Sequence, residues 1–492
     1  MFSKILIANR GEIALRIIRT LREMGIRSVA VYSDVDRAAL HVRKADEAAH
    51  IGPAASTESY LNIQRILEAA RKHHVDAIHP GYGFLSENAD FAQACQNAGF
   101  TFIGPSPRSV ALMGSKTGAR LIAKSAGAPI VPGSDGDPAA FALDMGFPVM
   151  LKAVAGGGGK GMRRVDQMED LHSAMESAMS EAQRAFGDGR IYAEKLIDPA
   201  RHIEIQVLGD KHGNIVHLGE RECSMQRRHQ KVIEESPSPL LSSIPGMRER
   251  MGVAALRAAR AAGYYSAGTV EFLADRFGNF YFLEMNTRLQ VEHPVTELVS
   301  GLDLVRLQVE IAAGATLPFA QDELALRGVA MECRIYAEDP FNNFFPSFGR
   351  IDQLSEPGGP GVRLDSGIYA GWTVPLEYDP LLSKLSVWAA TREHAIEKML
   401  RALSEYHIGG IRSNIPLFQI ILSNPEFRAG HLYTGLLDEL LRSRPESDSQ
   451  PSDDLLRLAA LVGSKITQRE KTWPSTSAAS KWLTSGREDL LR

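Results

Sequence analysis

The sequence predicts an N-terminal open parallel α/β domain followed by a larger body of mixed α/β and α+β structure. Three observations predict it. Residues 1–110 alternate short apolar runs with amphipathic runs of helical spacing, the pattern of a parallel sheet flanked by helices. A glycine run at 156–159 joins two extended segments. Beyond residue 200, apolar stretches punctuated by Gly209-Asp210, Gly213-Asn214 and Gly278-Asn279 read as antiparallel hairpins. The 492 residues leave room for roughly two to four domains or lobes.

In chain order, "KILIA" is a strand and "GEIALRIIRTLREMG" a helix closed by Gly25. "RSVAVYS" is the next strand and "ESYLNIQRILEAARKHH" the next helix. "VDAIHPGYGF" is strand and loop, "SENADFAQACQNAG" a helix and "FTFIG" a strand. The chain turns helical over "SPRSVALMGSKTGARLIAKSAG". "FPVMLKAV" and "IYAEKLI" are strands around the long helix "QMEDLHSAMESAMSEAQRAF". "HIEIQVLGDKHGNIVHLGERECSMQRR" forms hairpins, and a helix at 246–263 leads to the hairpin "GTVEFLADRFGNFYFLEMN". A mixed region follows, with "EYDPLLSKLSVWAA" and the helix "REHAIEKMLRALSEY". "SRPESDSQPSDD" at 443–454 is polar and rich in Pro and Ser, so it reads as a linker ahead of a short helical tail.

Composition excludes several classes. The net charge of −4, with no long basic run, gives no support for nucleic-acid binding. No apolar run is long enough to span a membrane, and the N-terminus enters a strand too soon for a signal peptide. Cys95, Cys223 and Cys333 are far apart and form no CxxC, which fits a reducing compartment. The turn "ANRGEI" lacks the three-glycine dinucleotide pattern, so NAD binding is not supported.

The stretch "EMNTRLQVEH" at 284–293 alternates strictly. Glu284, Asn286, Arg288, Gln290 and Glu292 share one side of an extended chain. Alternation alone fits a solvated face as well as a site. The hairpin partner tips the balance: with an even-numbered loop, Glu271 stands opposite Glu284. Facing carboxylates repel, and Phe280 and Phe282 are expected on the same face. Two acids and an Asn on such a face call for a hard cation, Mg²⁺ or Mn²⁺, which commonly binds substrate phosphates as well.

A nucleotide site is expected nearby. "AGGGGKGM" is neither a P-loop nor a dinucleotide turn, because it leads into the extended "MRRV". Bare backbone N–H groups in such a flap can close over phosphate oxygens, with Lys152 and Lys116 as neutralising charges. The basic cluster "SMQRRHQKVIEESP" supplies Lys231 and His229 for an anion. Arg334 lies between apolar neighbours in "VAMECRIYAEDP".

Together these stretches resemble the biotin carboxylase subunit or domain of biotin-dependent carboxylases, within the ATP-grasp superfamily. The resemblance is carried by "KILIANRGEIALRIIR", "HPGYGFLSENADFA", "FIGPS", "MGSKTGAR", "LKAVAGGGGKGMRRV", "EKLIDPARHIEIQVLGD", "ERECSMQRRHQKVIEESP", "FLEMNTRLQVEHPVTE" and "ECRIYAEDP". It runs from about residue 2 to about 440. It implies an N-terminal domain at 1–112 and an ATP-grasp domain at 113–325 whose mobile glycine-loop lid covers about 130–200. A C-terminal mixed α+β domain at 326–442 and a linker with a short helical tail at 443–492 complete the chain.

The resemblance also implies the chemistry. ATP and bicarbonate give carboxyphosphate, which carboxylates N1′ of a biotin held on a separate carrier protein. Glu271, Glu284 and Asn286 would hold Mg²⁺ or Mn²⁺, two ions in all. Glu292 would be the base toward bicarbonate, Arg288 and Lys231 the holders of bicarbonate and carboxyphosphate, and Arg334 the support of the biotin enolate. Lys116, Lys152, Gly158, Gly159, Glu194, Lys195, Leu196, Ile197, His202, His229, Glu271 and Glu284 would bind ATP. Tyr82, Gly83 and Val291 would lie near biotin. The implied partners are a biotin carboxyl carrier protein, a second copy of the chain and a carboxyltransferase subunit, in the cytoplasm, with no nucleic acid and no membrane. "IEKML" lacks the first Met of a biotinylation motif, so the chain itself is not expected to carry biotin. A carboxylate-activating ligase of the carboxyaminoimidazole or carbamoyl-phosphate type is the competing enzyme, and "SMQRRHQK" with "EMNTRLQVEH" argues against it. A non-catalytic nucleotide-binding regulator is disfavoured by the presence of Lys231, Arg288 and Glu292.

Overall fold

A computed structural model describes residues 1–134, 136–154, 162–228 and 230–443, and the side chains of 116 and 117 lie outside that description. Met1–Glu439 form one compact unit and Leu440–Arg492 a second. Of the second, only the last turn of the helix Leu436–Arg442 and Ser443 are described. The tail expected at 443–492 therefore lies almost wholly outside the described residues.

The N-terminal segment is a five-stranded parallel sheet. Its spatial order is Glu47–Gly52, Arg27–Ser33, Lys4–Ile7, Ala77–His79, Thr101–Phe102. Lys4–Ile7 and Ala77–His79 are neighbours from which the chain order runs outward in opposite directions. Open parallel sheets bind ligands at the carboxyl ends of such strands. The segments that leave this point carry Glu12, in the first turn of a helix, and Tyr82, in a loop. The helix Gly11–Glu23 starts there, and Ile13, Ala14, Ile17, Ile18 and Leu21 recur at helical spacing and are buried against the sheet. Its end is set by Gly25 at φ 70°. The helix expected from Glu58 begins only at Ile63, where Asn62 caps it by accepting from the Arg65 N–H.

Residues 149–195 make a small antiparallel sheet of Met162–Val165, Val149–Ala153 and Ile191–Lys195. It has its own core of Val149, Leu151, Val165, Leu171, Ala178 and Ala193, shared with the helix Met168–Phe186. The glycine loop between the first two strands lies outside the described residues.

The largest layer is an eight-stranded sheet. Its order is Phe280–Asn286, Ser266–Ala274, Arg201–Gly209, Ile215–Arg227, Gln230–Ser236, Val329–Tyr336, Leu381–Ala389, Val362–Ser366. One sheet thus spans the central and C-terminal segments. Ile203, Ile205, Val207, Val270 and Phe272 pack beneath the helix Met247–Ala261. The alternating residues on the same strands, His202, Glu204, Gln206, Thr269 and Glu271, are displayed on the other face. Among the described residues no helix is long and apolar enough to cross a membrane. Cys95, Cys223 and Cys333 are buried and unbridged.

Two local expectations change. The hairpin loop between Ala274 and Phe280 holds five residues, 275–279, an odd number. Glu271 nevertheless faces Glu284, because the pairing shifts by one residue between Glu271 and Phe272, leaving Leu283 as an extra residue. The bulge also separates the faces. Phe280 and Phe282 join Phe272 in the apolar core, while the glutamate pair belongs to the polar side. The phenylalanines therefore do not share the glutamates' face. The strand ends at Asn286, and "TRLQVE" does not continue it. A helix starts at His293 with Pro294 in its first turn, where a missing N–H costs nothing, and Glu292 is its capping position.

Candidate active site

The pairing register builds a row of charges across four adjacent strands: Arg221 opposite Glu204, Glu204 opposite Glu271, Glu271 opposite Glu284. Three neighbouring carboxylates are tolerable only with cations interleaved. Lys231 reaches into the row from the neighbouring hairpin strand Gln230–Ser236. Its Nζ donates to Glu204 at 2.5 Å, Glu292 at 2.6 Å and Glu271 at 3.0 Å. Arg221, fully buried, donates to Glu204 and also to Gln206 at 2.6 Å and Thr269 at 3.0 Å. His202 Nε2 lies 2.7 Å from the second Glu271 oxygen. Asn286 and Gln290 amides donate to the first at 2.8 and 3.0 Å.

Glu292 is 0% exposed, and both its oxygens are held. Lys231 donates to one, and Arg334 Nη2 donates to the other at 2.8 Å. Burial alone would raise this carboxyl, but Lys231, Arg334 and Arg221 together hold it well below the usual carboxylate range. Burial would likewise depress Lys231, and Glu204, Glu271 and Glu292 outweigh it and raise the ammonium. Burial opposes the His202 imidazolium too, and Glu271 overrides it, so His202 titrates above its ordinary value.

Arg288 is fixed by Glu87 at 2.8 Å, Gln290 at 3.0 Å and Asn286 at 3.1 Å. Arg288, Arg334 and Val291 then line a cavity of about 440 Å³ together with Tyr82 and Gly83. The structure thus joins residues of the N-terminal loop at 82–83 to those of the central hairpin. Of the expected nucleotide residues, His202, Glu271 and Glu284 belong to the acidic row or lie against it, and the other described ones group separately. Lys152 and Glu194 lie on adjacent strands of the small sheet and pair at 2.5 Å, with Arg120 as a second partner of Glu194. Lys195 donates its backbone N–H to the Pro132 carbonyl at 2.9 Å, and Leu196 and Ile197 follow directly. Lys116 begins the helix Lys116–Ser125, but its side chain, Gly158, Gly159 and His229 lie outside the described residues.

Four residues were missed: Glu204, Arg221, Glu234 and Glu87. A signal existed for Glu204, because His202, Glu204 and Gln206 alternate with Ile203, Ile205 and Val207 in "HIEIQV". None existed for Arg221. It lies between Glu220 and Glu222 in a strand buried on both faces, where alternation carries no information. Glu271 faces Glu284 across the hairpin, with Asn286 two residues beyond Glu284. These are the oxygen-bearing residue types that suit a hard cation, while both Glu271 oxygens are engaged by Lys231, Asn286, Gln290 and His202. His202, Glu204 and Glu271 form a second convergent group on the same row.

Comparisons with known proteins place the compact unit among relatives. Three family descriptions match in sequence: "Biotin carboxylase, N-terminal domain" over residues 1–110, "Carbamoyl-phosphate synthase L chain, ATP binding domain" over 115–320, and "Biotin carboxylase C-terminal domain" over 332–439. A biotin carboxylase of Nostoc sp. is 53% identical over 445 residues, covering 89% of this chain and 99% of the relative. A pyruvate carboxylase subunit of Methanothermobacter thermautotrophicus is 49% identical, covering 95% of this chain and 100% of the relative. The crystal structure of the biotin carboxylase domain dimer of Hydrogenobacter thermophilus 2-oxoglutarate carboxylase, with MgADP, ADP and bicarbonate, is 47% identical. It matches with a TM-score of 0.85, covering 90% of this chain and 100% of that one. The row of carboxylates, its interleaved cations and these alignments along nearly the whole compact unit lead to one conclusion: the chain belongs to the biotin carboxylase family, the ATP-dependent carboxylases of the ATP-grasp type.

Proposed function

We propose that the Lys231–Glu292–Arg334 cluster activates bicarbonate with ATP, and that the adjoining cavity receives the biotin ring of a carrier protein. One observation carries the assignment of roles: a single buried carboxylate, Glu292, is shared between the cation of the acidic row, Lys231, and an arginine that lines the cavity, Arg334. Glu292 takes the bicarbonate proton, so that the bicarbonate oxygen can attack the γ-phosphorus. Lys231 and Arg288 hold the anions. With Lys231, Arg334 and Arg221 all acting on it, Glu292 is a weak base. Bound phosphate and bicarbonate draw on the same cations, so the basicity of Glu292 rises when substrates are in place.

Arg334 stabilises the negative oxygen that develops on the ureido ring. Tyr82, Gly83 and Val291 shape the pocket. Lys152, Glu194 and the segment after it, with Lys116, His202, His229, Gly158 and Gly159, belong to the nucleotide side. Glu271, Glu284 and Asn286 would hold Mg²⁺ or Mn²⁺, which neutralises phosphate charge.

The proposal includes three partners: a biotin carboxyl carrier protein, a second copy of this chain and a carboxyltransferase subunit. The relatives named for pyruvate carboxylase and 2-oxoglutarate carboxylase show that the final acceptor differs within the family, so the carboxyltransferase selects it. A cytoplasmic location is part of the same reading, supported by three buried, unbridged thiols. The test supplies the purified chain with Mg-ATP, bicarbonate and free biotin. ADP, phosphate and carboxybiotin are expected. ATP cleavage indifferent to both bicarbonate and biotin overturns the reading.

A further inference from the structure

Two buried charged side chains stand at the cavity, Glu12 in its lining and Lys384 behind it, and none of the roles above uses them. Lys384, on the strand Leu381–Ala389, is 0% exposed. Its Nζ donates to the Val291 carbonyl at 2.7 Å, lies 3.3 Å from Glu12 Oε1, and sits 5.7 Å from the centre of the Tyr82 ring. Glu12 is in the first turn of the helix Gly11–Glu23, is buried, and accepts a hydrogen bond from the Tyr82 hydroxyl. One ion pair therefore grips two walls of the cavity at once. One wall comes from the N-terminal sheet and the other from the central hairpin loop.

We propose that Glu12 and Lys384 are positioning residues for biotin, with Lys384 fixing the Val291 carbonyl and Glu12 fixing the Tyr82 ring across the pocket. This rests on the reading that the cavity takes biotin. The chemistry favours a positioning role over a merely stabilising one. A buried ion pair contributes little stability compared with apolar packing of the same volume. Burial lifts the Glu12 carboxyl to about 7 in spite of Lys384. What suits the two residues to orientation is that each makes a directed hydrogen bond to one wall, Lys384 to the Val291 carbonyl at 2.7 Å and the Tyr82 hydroxyl to Glu12. Lys384 is also anchored from behind, with Asp365 at 4.0 Å, so it cannot swing away from Val291 without leaving an anion behind. Neither residue hydrogen-bonds to Glu292 or Lys231 among the described residues, but the Val291 carbonyl that Lys384 holds belongs to the peptide unit leading into Glu292, so Glu12 is the cleaner probe of the biotin side.

The test uses the full chain with free biotin, and the variants Lys384→Met, Glu12→Gln and Tyr82→Phe. Two reactions are measured: biotin carboxylation, and the slow bicarbonate-dependent ATP cleavage without biotin. Each variant is expected to raise KM for biotin about fivefold, the loss of one ordinary hydrogen bond. In Glu12→Gln, biotin-independent ATP cleavage stays within about twofold of the parent. Glu12→Gln combined with Tyr82→Phe is expected to be no worse than the poorer single variant, because both cut one contact. Unchanged biotin KM in the folded variants overturns the proposal, and so does an equal fall of both reactions, which marks a purely structural pair. If Lys384→Met does not fold, the decision rests on Glu12→Gln and Tyr82→Phe, whose losses are a charge and a hydroxyl. Tyr82→Ala separates the two layers of the argument. A raised biotin KM in Tyr82→Ala, with none in Glu12→Gln or Lys384→Met, removes the positioning pair and leaves the biotin cavity standing. No effect of Tyr82→Ala removes the cavity reading, and the positioning pair with it.

Discussion

Glu292 shows how a single side chain is poised by its neighbours. Its two oxygens are bound by cations with different duties, Lys231 at 2.6 Å and Arg334 at 2.8 Å. Arg334 in turn donates to Glu234. Burial pushes the Glu234 carboxyl up to about 8 even against Arg334, while the carboxylates Glu234 and Glu292 together raise the Arg334 guanidinium against its own burial. Substitution should separate these duties. Glu292→Gln keeps the shape and removes the proton acceptor, so bicarbonate-dependent ATP cleavage and biotin carboxylation should both fall by about 100-fold or more. Arg334→Ala should lower biotin carboxylation about tenfold further than ATP cleavage, because the ureido oxygen loses its stabilising charge. Some loss of ATP cleavage is expected as well, since Arg334 also touches the base. Parallel measurement of the two reactions checks both statements, and equal losses in Arg334→Ala would remove its assignment to biotin.

At the scale of elements, the hairpin and the parallel sheet mark where sequence pattern is informative and where it fails. The facing of Glu271 and Glu284 was legible, but by a route that did not hold in detail. Period-two reading assumes an unbroken strand, and Leu283 breaks it. A bulge has no composition signal, so a pattern that put Phe282 and Glu284 on one face could not show them parting. The N-terminal sheet was legible in four of its five strands, because buried parallel strands and amphipathic helices have distinct periods, but its half-exposed edge strand Glu47–Gly52 was not read. Its hidden feature is two histidines. Burial holds His41 down at about 4 and His79 at about 3, from an ordinary value of 6.5. A histidine whose folded value lies below its unfolded value is neutral in the native state, and the unfolded chain takes up the proton first. Stability is therefore full above about 6.5 and declines as pH falls from there towards 4, by up to about 3 kcal/mol for His41. Urea melting of this domain should show a lower midpoint at pH 5 than at pH 7.5. His41→Leu should flatten that dependence, and an unchanged pH slope in this variant would show that His41 is not a source of it.

Across the whole molecule, the site lies where three separately coded pieces meet. The loops of the parallel sheet bring Tyr82, Glu87 and Glu12, the central hairpins bring the charge row and Glu292, and the strand Val329–Tyr336 brings Arg334. Long motifs made the membership legible. The assembly was not, because contacts such as Arg288 with Glu87, 201 positions apart, leave no trace in spacing. The same holds for the charges that join the pieces. Arg16, on the helix Gly11–Glu23, is nearly buried and donates to Glu297 at 2.9 Å and to Asp303 at 2.9 Å. Arg363 holds the second Glu297 oxygen at 2.7 Å. Removing one member of such a network leaves buried charge uncompensated, which costs about 3 kcal/mol or more. Arg16→Met should therefore lower the urea midpoint by that equivalent, although the substituted side chain is apolar and similar in length. The pair is shielded from ions, so the deficit should be the same at low ionic strength and at about 0.5 M salt, where an exposed pair would be screened. A midpoint equal to the parent's, or a deficit that disappears in salt, would show that Arg16 acts as a surface charge and leave the attachment of the N-terminal sheet to packing and to pairs such as Arg288 with Glu87.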